Sequence, residues 1–279
     1  MGAAFLRLCQ RRNIACHGLA TRELDITAAS GVADAIARHR PWAVVQAGDS
    51  PGIDAAEIGA GHPVERHTLG HAVLARACAD AGVDLLTFSS DQVFDGRKQA
   101  AYVETDDVCP INAYGRSKAA VERLVLQAHP ASLVLRTGGF FGPWDREDFL
   151  SQAMATLTHG RAFTAANDVV ATPVFLPDLV NAALDVLVDR ETGLWHVTHA
   201  EPVTWAELVA RACAIAGVRA RGLRPRSCEE LDLAAPRPPY TALASDRSTL
   251  LPALDDALGR YVRWNEGVLR AGLPRISAA

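Results

Sequence analysis

The feature that most constrains this fold is S-S-D-Q-V-F-D-G at residues 89–96, followed by Y-G-R-S-K at residues 114–118. Tyr114 and Lys118 are four residues apart, so on a helix they lie on one face. The hydroxyl-rich segment that contains Ser90 is typical of a strand end that faces such a helix. A phenol can donate a proton, an ammonium can lower the pKa of the phenol, and a hydroxyl can hold a carbonyl oxygen. The pattern predicts reduction of a ketone by a hydride donor.

Short apolar runs alternate with helical patterns along the first half of the chain. Strands are predicted at residues 14–19, 43–47, 85–89 and 133–136, and helices at residues 3–12, 28–39, 68–81 and 112–128. Short apolar strands that are each separated by one helix indicate a parallel sheet covered on both faces. The sequence therefore predicts an α/β fold, a Rossmann-like doubly wound parallel sheet.

Beyond Trp144 the alternation is looser. Helices are predicted at residues 149–158, after Pro177 and at residues 205–216, and strands at residues 169–174 and 194–198, followed by a Pro- and Arg-rich loop at residues 234–240. This part is expected to form a smaller C-terminal lobe beside the carboxyl ends of the strands, where ligands bind in such folds.

Composition excludes several classes of protein. The 279 residues carry a formal charge of −4, which gives no electrostatic reason to expect nucleic acid or an anionic membrane as a partner. The six cysteines have no paired spacing, so reduced, buried thiols are expected. No apolar run approaches the roughly 18–20 residues of a membrane span, and no signal peptide is recognised. A cytoplasmic protein is expected.

These motifs resemble the short-chain dehydrogenase/reductase superfamily, in its extended sugar-nucleotide branch, and more closely the dTDP-4-dehydrorhamnose reductase family. The family's S-[TS]-D-Y-V-F-D-G and P-x-N-x-Y-G-x-[ST]-K motifs have counterparts at residues 89–96 and 110–118. Further counterparts, in the same order, lie at residues 104–107, 136–142, 172–179 and 193–196. The resemblance extends from the first residue to about Trp264.

The resemblance implies NAD(P)H-dependent reduction of a nucleotide-linked 4-keto-6-deoxysugar, as in dTDP-L-rhamnose biosynthesis. It implies a dinucleotide-binding part at residues 1–145 and, at residues 146–279, mainly a lobe for the sugar nucleotide, interleaved with the sheet. A homodimer, or a domain fused upstream, is compatible with it.

The resemblance also assigns residues to roles, and it includes no metal ligands. The catalytic residues would be Ser90, Tyr114 and Lys118. The cofactor-binding residues would be Gly2, Arg22, Asp25, Ile26, Ala47, Gly48 and Ser89, with Tyr114 and Lys118. The substrate-binding residues would be Asp91, Val93, Phe94, Thr137 and Arg237. The predicted strand at residues 14–19 ends without an acidic residue, and Thr21 and Arg22 follow, which favours NADPH over NADH.

The N-terminus departs from a dinucleotide fold. Such a fold needs a first strand that leads into G-x-x-G-x-x-G, whose glycines let the backbone approach the pyrophosphate. The chain instead begins Met1-Gly2 and passes directly into an amphipathic helix. Gly2 is interpreted as the last glycine of that motif, with the strand and the earlier glycines expected upstream of Met1. As written, the chain is expected to lack the central first strand and its glycine-rich loop.

Other departures lie close to the expected site. Gln92 replaces an aromatic residue, residues 138–140 replace an S-W-V-like run, and His67 stands where the family has Asn. These changes leave two alternatives: a reductase with an altered sugar substrate, or a non-catalytic sugar-nucleotide-binding or regulatory module of the same fold.

Two charged segments also have two interpretations each. Asp54 and Glu57 could bind a metal or a neighbouring subunit, or form the capped and solvated start of a helix. Arg237 lies on a Pro-stiffened loop and could recognise a diphosphate, or could be a surface arginine.

Overall fold

The computed structural model describes residues 1–48, 52–59, 62–144 and 148–272. Its helices are α1 (Gly2–Arg11), α2 (Ala29–His39), α3 (Ile53–Ile58), α4 (His62–Ala81), α5 (Ala113–Ala128), α6 (Phe149–Thr158), α7 (Leu176–Val188), α8 (Trp205–Ala216) and α9 (Leu254–Gly272). Its strands are β1 (Ala43–Gln46), β2 (Asp84–Ser90), β3 (Leu133–Thr137), β4 (Phe140–Phe141), β5 (Phe163–Ala166), β6 (Val170–Ala171), β7 (Val174–Phe175), β8 (Gly193–His196), β9 (Val203–Thr204) and β10 (Leu223–Arg226).

The main sheet has the strand order β1-β2-β3-β8, and all of these strands are parallel. Successive residues of a strand point to opposite faces, so each buried strand contributes to two cores. Leu86 and Leu135 pack with α1 and α7 on one face. Leu85 and Val134 pack with α2, α4 and α5 on the other. The α/β prediction with a covered parallel sheet is confirmed.

The C-terminal lobe has its own apolar cluster, built mainly from α6, α8 and α9. Phe141 and Phe175, from the short strands β4 and β7, reach into this cluster. Helix α8 begins with a capping box in which Thr204 and Glu207 satisfy each other's backbone N–H groups. Strand β8 follows α7 and returns to the main sheet, so the second half of the chain contributes to both regions.

Residues 14–19 do not form the predicted strand. They pair with no other strand among the described residues, and residues 15–19 are exposed. A β-strand is stable only with a ladder partner, and the local sequence does not show whether one is present. Strand β1 pairs on one side only, with β2, within the described part of the chain. The central first strand that a dinucleotide fold requires stays a prediction.

Other predicted boundaries have mixed outcomes. The strand predicted at residues 169–174 is two short strands, β6 and β7, that belong to different small sheets. The predicted domain boundary, between residues 145 and 146, lies outside the described residues, and the division into two parts stays a prediction. Of the helices in the described ranges, none combines the length and the apolar character needed to cross a bilayer.

Candidate active site

The candidate site lies at the carboxyl end of β2. This strand ends at Ser90 and leads directly into a short 3-10 helix, Asp91–Val93. The hydroxyl of Ser90 accepts a hydrogen bond from the backbone N–H of Gln92 at 3.2 Å and thereby caps this turn. Carboxyl ends of parallel strands meet at one edge of a sheet, which is where open α/β folds bind ligands.

The start of α5 positions Tyr114 and Lys118, which together with Ser90 form the predicted catalytic trio. The side chain of Asn112 caps the helix by accepting a hydrogen bond from the N–H of Gly115 at 2.8 Å. A Cβ atom on Gly115 would lie 2.0 Å from the carbonyl oxygen of Gln92, so the helix can pack this closely only with glycine there. This approach brings Tyr114 and Lys118 to the end of β2.

Lys118 is buried against the strand. Its Nζ donates a hydrogen bond to the carbonyl oxygen of Phe88 at 3.3 Å and lies 5.5 Å from the ring centroid of Tyr114. Burial lowers the pKa of Lys118 to about 8, and the charge of Glu122 opposes this shift. At neutral pH Lys118 is therefore still mostly protonated.

The pKa of Tyr114 is shifted in the direction opposite to the one that the sequence predicts. Burial raises the pKa of Tyr114 to about 12, the charge of Asp91 adds to the increase, and a hydrogen bond with Ser90 reduces it. The expectation that Lys118 lowers this pKa is wrong for the free protein, because burial dominates the shift. The phenol is fully protonated at neutral pH.

Asp91 links the strand end to the C-terminal lobe. It accepts hydrogen bonds from Ser90 Oγ at 2.9 Å, from Thr241 Oγ1 at 2.6 Å and from the side chain of Gln92 at 3.4 Å. Burial raises the pKa of its carboxyl group, although each of these hydrogen bonds lowers it. Through these hydrogen bonds Asp91 connects the end of β2 to Thr241 of the C-terminal part.

The predicted cofactor residues near the sheet lie at one edge. Helix α1 begins at Gly2 with no acidic residue in its first turn, and Phe5 packs on Phe88 with ring centroids 6.0 Å apart. Ala47 and Gly48 follow the end of β1. The hydroxyl of Ser89 is buried and has no hydrogen-bond partner among the described residues. A helix N-terminus and a free hydroxyl at the strand ends suit an anionic, hydroxyl-rich ligand.

The structure gives the other predicted cofactor residues different surroundings. Arg22 lies exposed in a turn. Asp25 accepts hydrogen bonds from Thr27 and pairs with Arg66, and these contacts, that with Thr27 first, hold the pKa of Asp25 below its usual range. Ile26 packs closely on α4, where a Cβ on Gly70 would lie 2.6 Å from it. Cofactor binding by these three residues stays a prediction.

The predicted substrate residues differ in accessibility. The side chains of Val93 and Phe94 are fully buried, and Phe94 stacks on Tyr102 with centroids 4.1 Å apart. Contact of Val93 and Phe94 with a substrate stays a prediction. Thr137 is the ladder partner of Ser90, and its buried hydroxyl has no hydrogen-bond partner in the described ranges. Thr137 is thus the better placed of these residues to bind a ligand.

Arg237 is held by Asp54. Its Nη1 and Nη2 donate to the two carboxylate oxygens at 3.0 and 2.6 Å, and the backbone N–H of Ala235 donates to the same carboxylate at 2.9 Å. The interpretations of Asp54 from the sequence, as a metal ligand, a contact with a neighbouring subunit or a helix cap, do not include this contact within the chain. Contact of Arg237 with a diphosphate stays a prediction.

Several contacts around the site were not predicted from the sequence. Glu57 accepts a hydrogen bond from the N–H of Ala113 at 2.6 Å, so it fixes the start of α5 from a distant segment. Asn112 also donates to Gln92 Oε1 at 3.1 Å and to the carbonyl oxygen of Pro236 at 3.0 Å. The N-cap role of Asn112 could have been read from its place before the helix, but the other contacts depend on the tertiary fold.

The family model described as the RmlD substrate binding domain matches residues 1–261. A dTDP-4-dehydrorhamnose reductase of Mycobacterium tuberculosis is 32% identical over 236 residues, which cover 81% of this chain and 76% of the relative. A probable dTDP-4,6-dihydroxy-2-methyloxan-3-one 4-ketoreductase of Streptomyces antibioticus is 30% identical over 262 residues, which cover 92% and 85%.

Solved structures agree in fold. A dTDP-4-dehydrorhamnose reductase of Clostridium acetobutylicum superposes with a TM-score of 0.86 at 23% identity, covering 95% of each chain. One of Bacillus anthracis, in complex with NADP, gives 0.85 at 24% identity, covering 93% of this chain and 94% of that one. The extent of the family match and of these similarities establishes that this chain belongs to the dTDP-4-dehydrorhamnose reductase family, as its motifs predict.

Proposed function

We propose that this chain is an NADPH-dependent reductase of a nucleotide-linked 4-keto-6-deoxysugar. The observation that carries the proposal is the joint position of Ser90, Tyr114 and Lys118 at the carboxyl end of β2. The names of the relatives support the substrate class, since they include dTDP-4-dehydrorhamnose reductases and a dTDP-4-keto-6-deoxy-D-glucose reductase of Streptomyces niveus. The related structure with bound NADP supports the coenzyme.

The residues present fit a dinucleotide at this edge of the sheet. The first turn of α1, beginning at Gly2, offers backbone N–H groups to a pyrophosphate, and Ser89 offers a buried hydroxyl without a partner among the described residues. Lys118 and Tyr114 would hold the nicotinamide end. When bound, the coenzyme supplies the hydride that reduces the keto carbon.

Three side chains of the protein, those of Ser90, Tyr114 and Lys118, act on the carbonyl oxygen of the substrate. In the coenzyme-free protein the hydroxyl of Ser90 donates a hydrogen bond to Asp91, and it can turn to the substrate because Thr241 and Gln92 still donate to that carboxylate. Tyr114 is protonated at neutral pH and gives its proton to the developing alkoxide. The ammonium of Lys118, 5.5 Å from the ring centroid, stabilises the phenolate that remains.

Replacing Tyr114 with phenylalanine tests this role. Tyr114→Phe should lower kcat by about 10²–10⁴, the usual contribution of a positioned general acid, while substrate binding survives because only the hydroxyl is lost. The measurement is steady-state reduction of dTDP-4-dehydrorhamnose followed by NADPH absorbance. As the matched control, Tyr261→Phe removes a buried phenol of the C-terminal lobe, 3.0 Å from Ser151 Oγ, and should leave kcat within about threefold.

Two outcomes would contradict the proposal. Turnover of Tyr114→Phe at the parental rate shows that Tyr114 is not the acid. No turnover by the parent protein, with retained binding of the sugar nucleotide, supports instead the non-catalytic binding module.

A further inference from the structure

A carboxylate from α3 lies at the start of the helix that carries Tyr114. Glu57 Oε2 accepts a hydrogen bond from the backbone N–H of Ala113 at 2.6 Å. Ala113 is the first residue of α5, where a helix leaves its N–H groups without intrahelical partners and where a negative charge interacts favourably with the helix dipole. The other oxygen of Glu57 lies 3.8 Å from Arg116, a weak ion pair because the arginine side chain is 55% exposed. The main contact of Glu57 is therefore a cap on α5, in addition to the cap from Asn112.

The two caps lie on either side of Tyr114 in the chain. Glu57 binds the N–H of the preceding residue, Ala113, and Asn112 binds the N–H of the following residue, Gly115, at 2.8 Å. Because peptide groups are planar, fixing these two N–H groups restrains the backbone before and after Tyr114. The position of the phenol depends on this backbone, and so on both caps.

Helix α3 is held in place by contacts other than that of Glu57. The side chain of Ala56 is buried. Asp54, three residues before Glu57, binds the guanidinium of Arg237 and the N–H of Ala235. Glu57 therefore belongs to a segment whose position is fixed independently of its own hydrogen bond to α5.

We propose that Glu57 is a positioning residue for Tyr114. Its carboxylate fixes the first N–H of α5 and so holds the phenol where its proton can pass to the alkoxide oxygen of the product, leaving a phenolate. Glu57 thereby acts within the chain, and this role needs neither a metal nor a neighbouring subunit. The inference rests on the proposed function for its kinetic consequences, whereas the contact with α5 exists in the coenzyme-free protein.

The contact is tested without turnover through the amide proton of Ala113, followed by NMR in the coenzyme-free protein. Glu57→Ala should speed its exchange with deuterium at least about tenfold, because the acceptor is lost. Glu57→Gln keeps an acceptor oxygen and should keep exchange slow. The matched control is Glu207→Ala, which removes a carboxylate that accepts from the N–H of Thr204 at 2.8 Å at the start of α8, and it should leave Ala113 unchanged. Parental exchange of Ala113 in Glu57→Ala would overturn the proposal.

The kinetic test compares three substitutions of Glu57. Glu57→Ala should lower kcat about 10- to 100-fold, the effect of a small displacement of a catalytic group, with KM for dTDP-4-dehydrorhamnose within about threefold. Glu57→Gln should keep kcat within about threefold of the parent, since the hydrogen bond is retained. Glu57→Asp draws the carboxylate back by one methylene and should give an intermediate kcat. Glu207→Ala removes the same kind of cap in the C-terminal lobe and should leave kcat within about twofold.

A double substitution distinguishes positioning of Tyr114 from a general structural effect. If Glu57 acts through the hydroxyl of Tyr114, adding Glu57→Ala to Tyr114→Phe should lower the remaining kcat by no more than about twofold, because the positioned group is already absent. A general structural effect would lower kcat by the same factor in both backgrounds. Equal factors would therefore contradict the proposal.

The outcomes separate this proposal from the proposed function. A folded Glu57→Ala variant with the parental kcat overturns the positioning role, as does a loss of kcat that Glu57→Gln shows in full. If Glu57→Ala does not fold, Glu57→Asp, alone and combined with Tyr114→Phe, decides in its place. If the parent has no reductase activity, the proposed function fails, while the exchange of the Ala113 amide still decides whether Glu57 fixes the start of α5.

Discussion

Among single residues, burial sets the charge states of the catalytic trio more strongly than their mutual contacts do. It raises the pKa of Tyr114 to about 12 and lowers that of Lys118 to about 8. The two shifts have the same result near neutrality, because both side chains remain mainly protonated. A protonated phenol beside an ammonium is the state that a reduction requires, since the phenol must give a proton to the product.

The catalytic trio was predicted from the sequence, whereas several contacts around it were not. Tyr114 and Lys118 are four residues apart, and helical geometry alone places them on one face. Asp54 and Arg237 are 183 residues apart and come together only in the tertiary fold. The buried position of Phe94 follows from its stacking on Tyr102, and no local pattern indicates that contact.

Coenzyme choice depends on a single exposed side chain in this interpretation. Arg22 lies in the turn at residues 21–23, and a guanidinium suits a 2′-phosphate. We expect kcat/KM to favour NADPH over NADH, and Arg22→Gln to reduce this preference about tenfold, the effect of losing one charged contact of about 1.4 kcal/mol. Steady-state kinetics with both coenzymes measure it. Arg38→Gln, at the exposed end of α2, serves as the control, and an NADH-favouring parent would show that the prediction is wrong.

Among the helices and strands, prediction succeeded where local signals define an end. Helix α8 has the start and end predicted, and its capping box and the left-handed Gly217 account for both. The strand predicted at residues 14–19 failed, although its residues have strand character, because a strand also needs a partner. The β-propensity of a sequence describes a single segment, whereas the hydrogen bonds of a ladder require a second strand, which the segment itself does not reveal.

The contact between α5 and the 3-10 helix Asp91–Val93 can be tested through Gly115. A Cβ there would lie 2.0 Å from the carbonyl oxygen of Gln92, so Gly115→Ala must move α5 away from this 3-10 helix. We expect a loss of about 1–3 kcal/mol in the free energy of unfolding, measured by urea denaturation, together with a fall in kcat.

Gly259→Ala is the matched control for that substitution. Gly259 lies within α9, where the new Cβ would be 3.5 Å from the flexible end of Arg263. It should stabilise the protein by about 0.5–1 kcal/mol, since alanine is the better helix former. Equal stability of Gly115→Ala and the parent would mean that the close packing of α5 is not required.

Across the whole molecule, polar contacts join the two halves of the chain around the site. Asp91 binds Thr241, Asn112 binds the carbonyl oxygen of Pro236, and Asp54 binds Arg237. In each of these contacts a residue of the first half reaches the segment at residues 236–241. The Pro-rich loop is therefore held over the carboxyl end of the sheet by the same region that contains the catalytic trio.

The ion pair of Asp54 and Arg237 gives this link a pH dependence. The hydrogen bond from Arg237 holds the pKa of Asp54 below its usual range. The stabilisation is therefore complete above the ordinary carboxyl pKa, near 4, and is lost as pH falls through the lower value of the folded state. Asp54→Asn should cost about 1 kcal/mol at pH 7, a small value because the Asp54 side chain is 39% exposed.

Urea unfolding of the parent and of Asp54→Asn at pH 7 and pH 3 measures this difference, which should shrink at the lower pH. Asp34→Asn, at an exposed carboxylate of α2, should show no difference at either pH. Combining Asp54→Asn with Arg237→Gln should cost less than the sum of the two single changes, because each removes the same interaction. Fully additive costs would show that the pair does not hold the loop, and Arg237 would then be free to bind the diphosphate of a substrate.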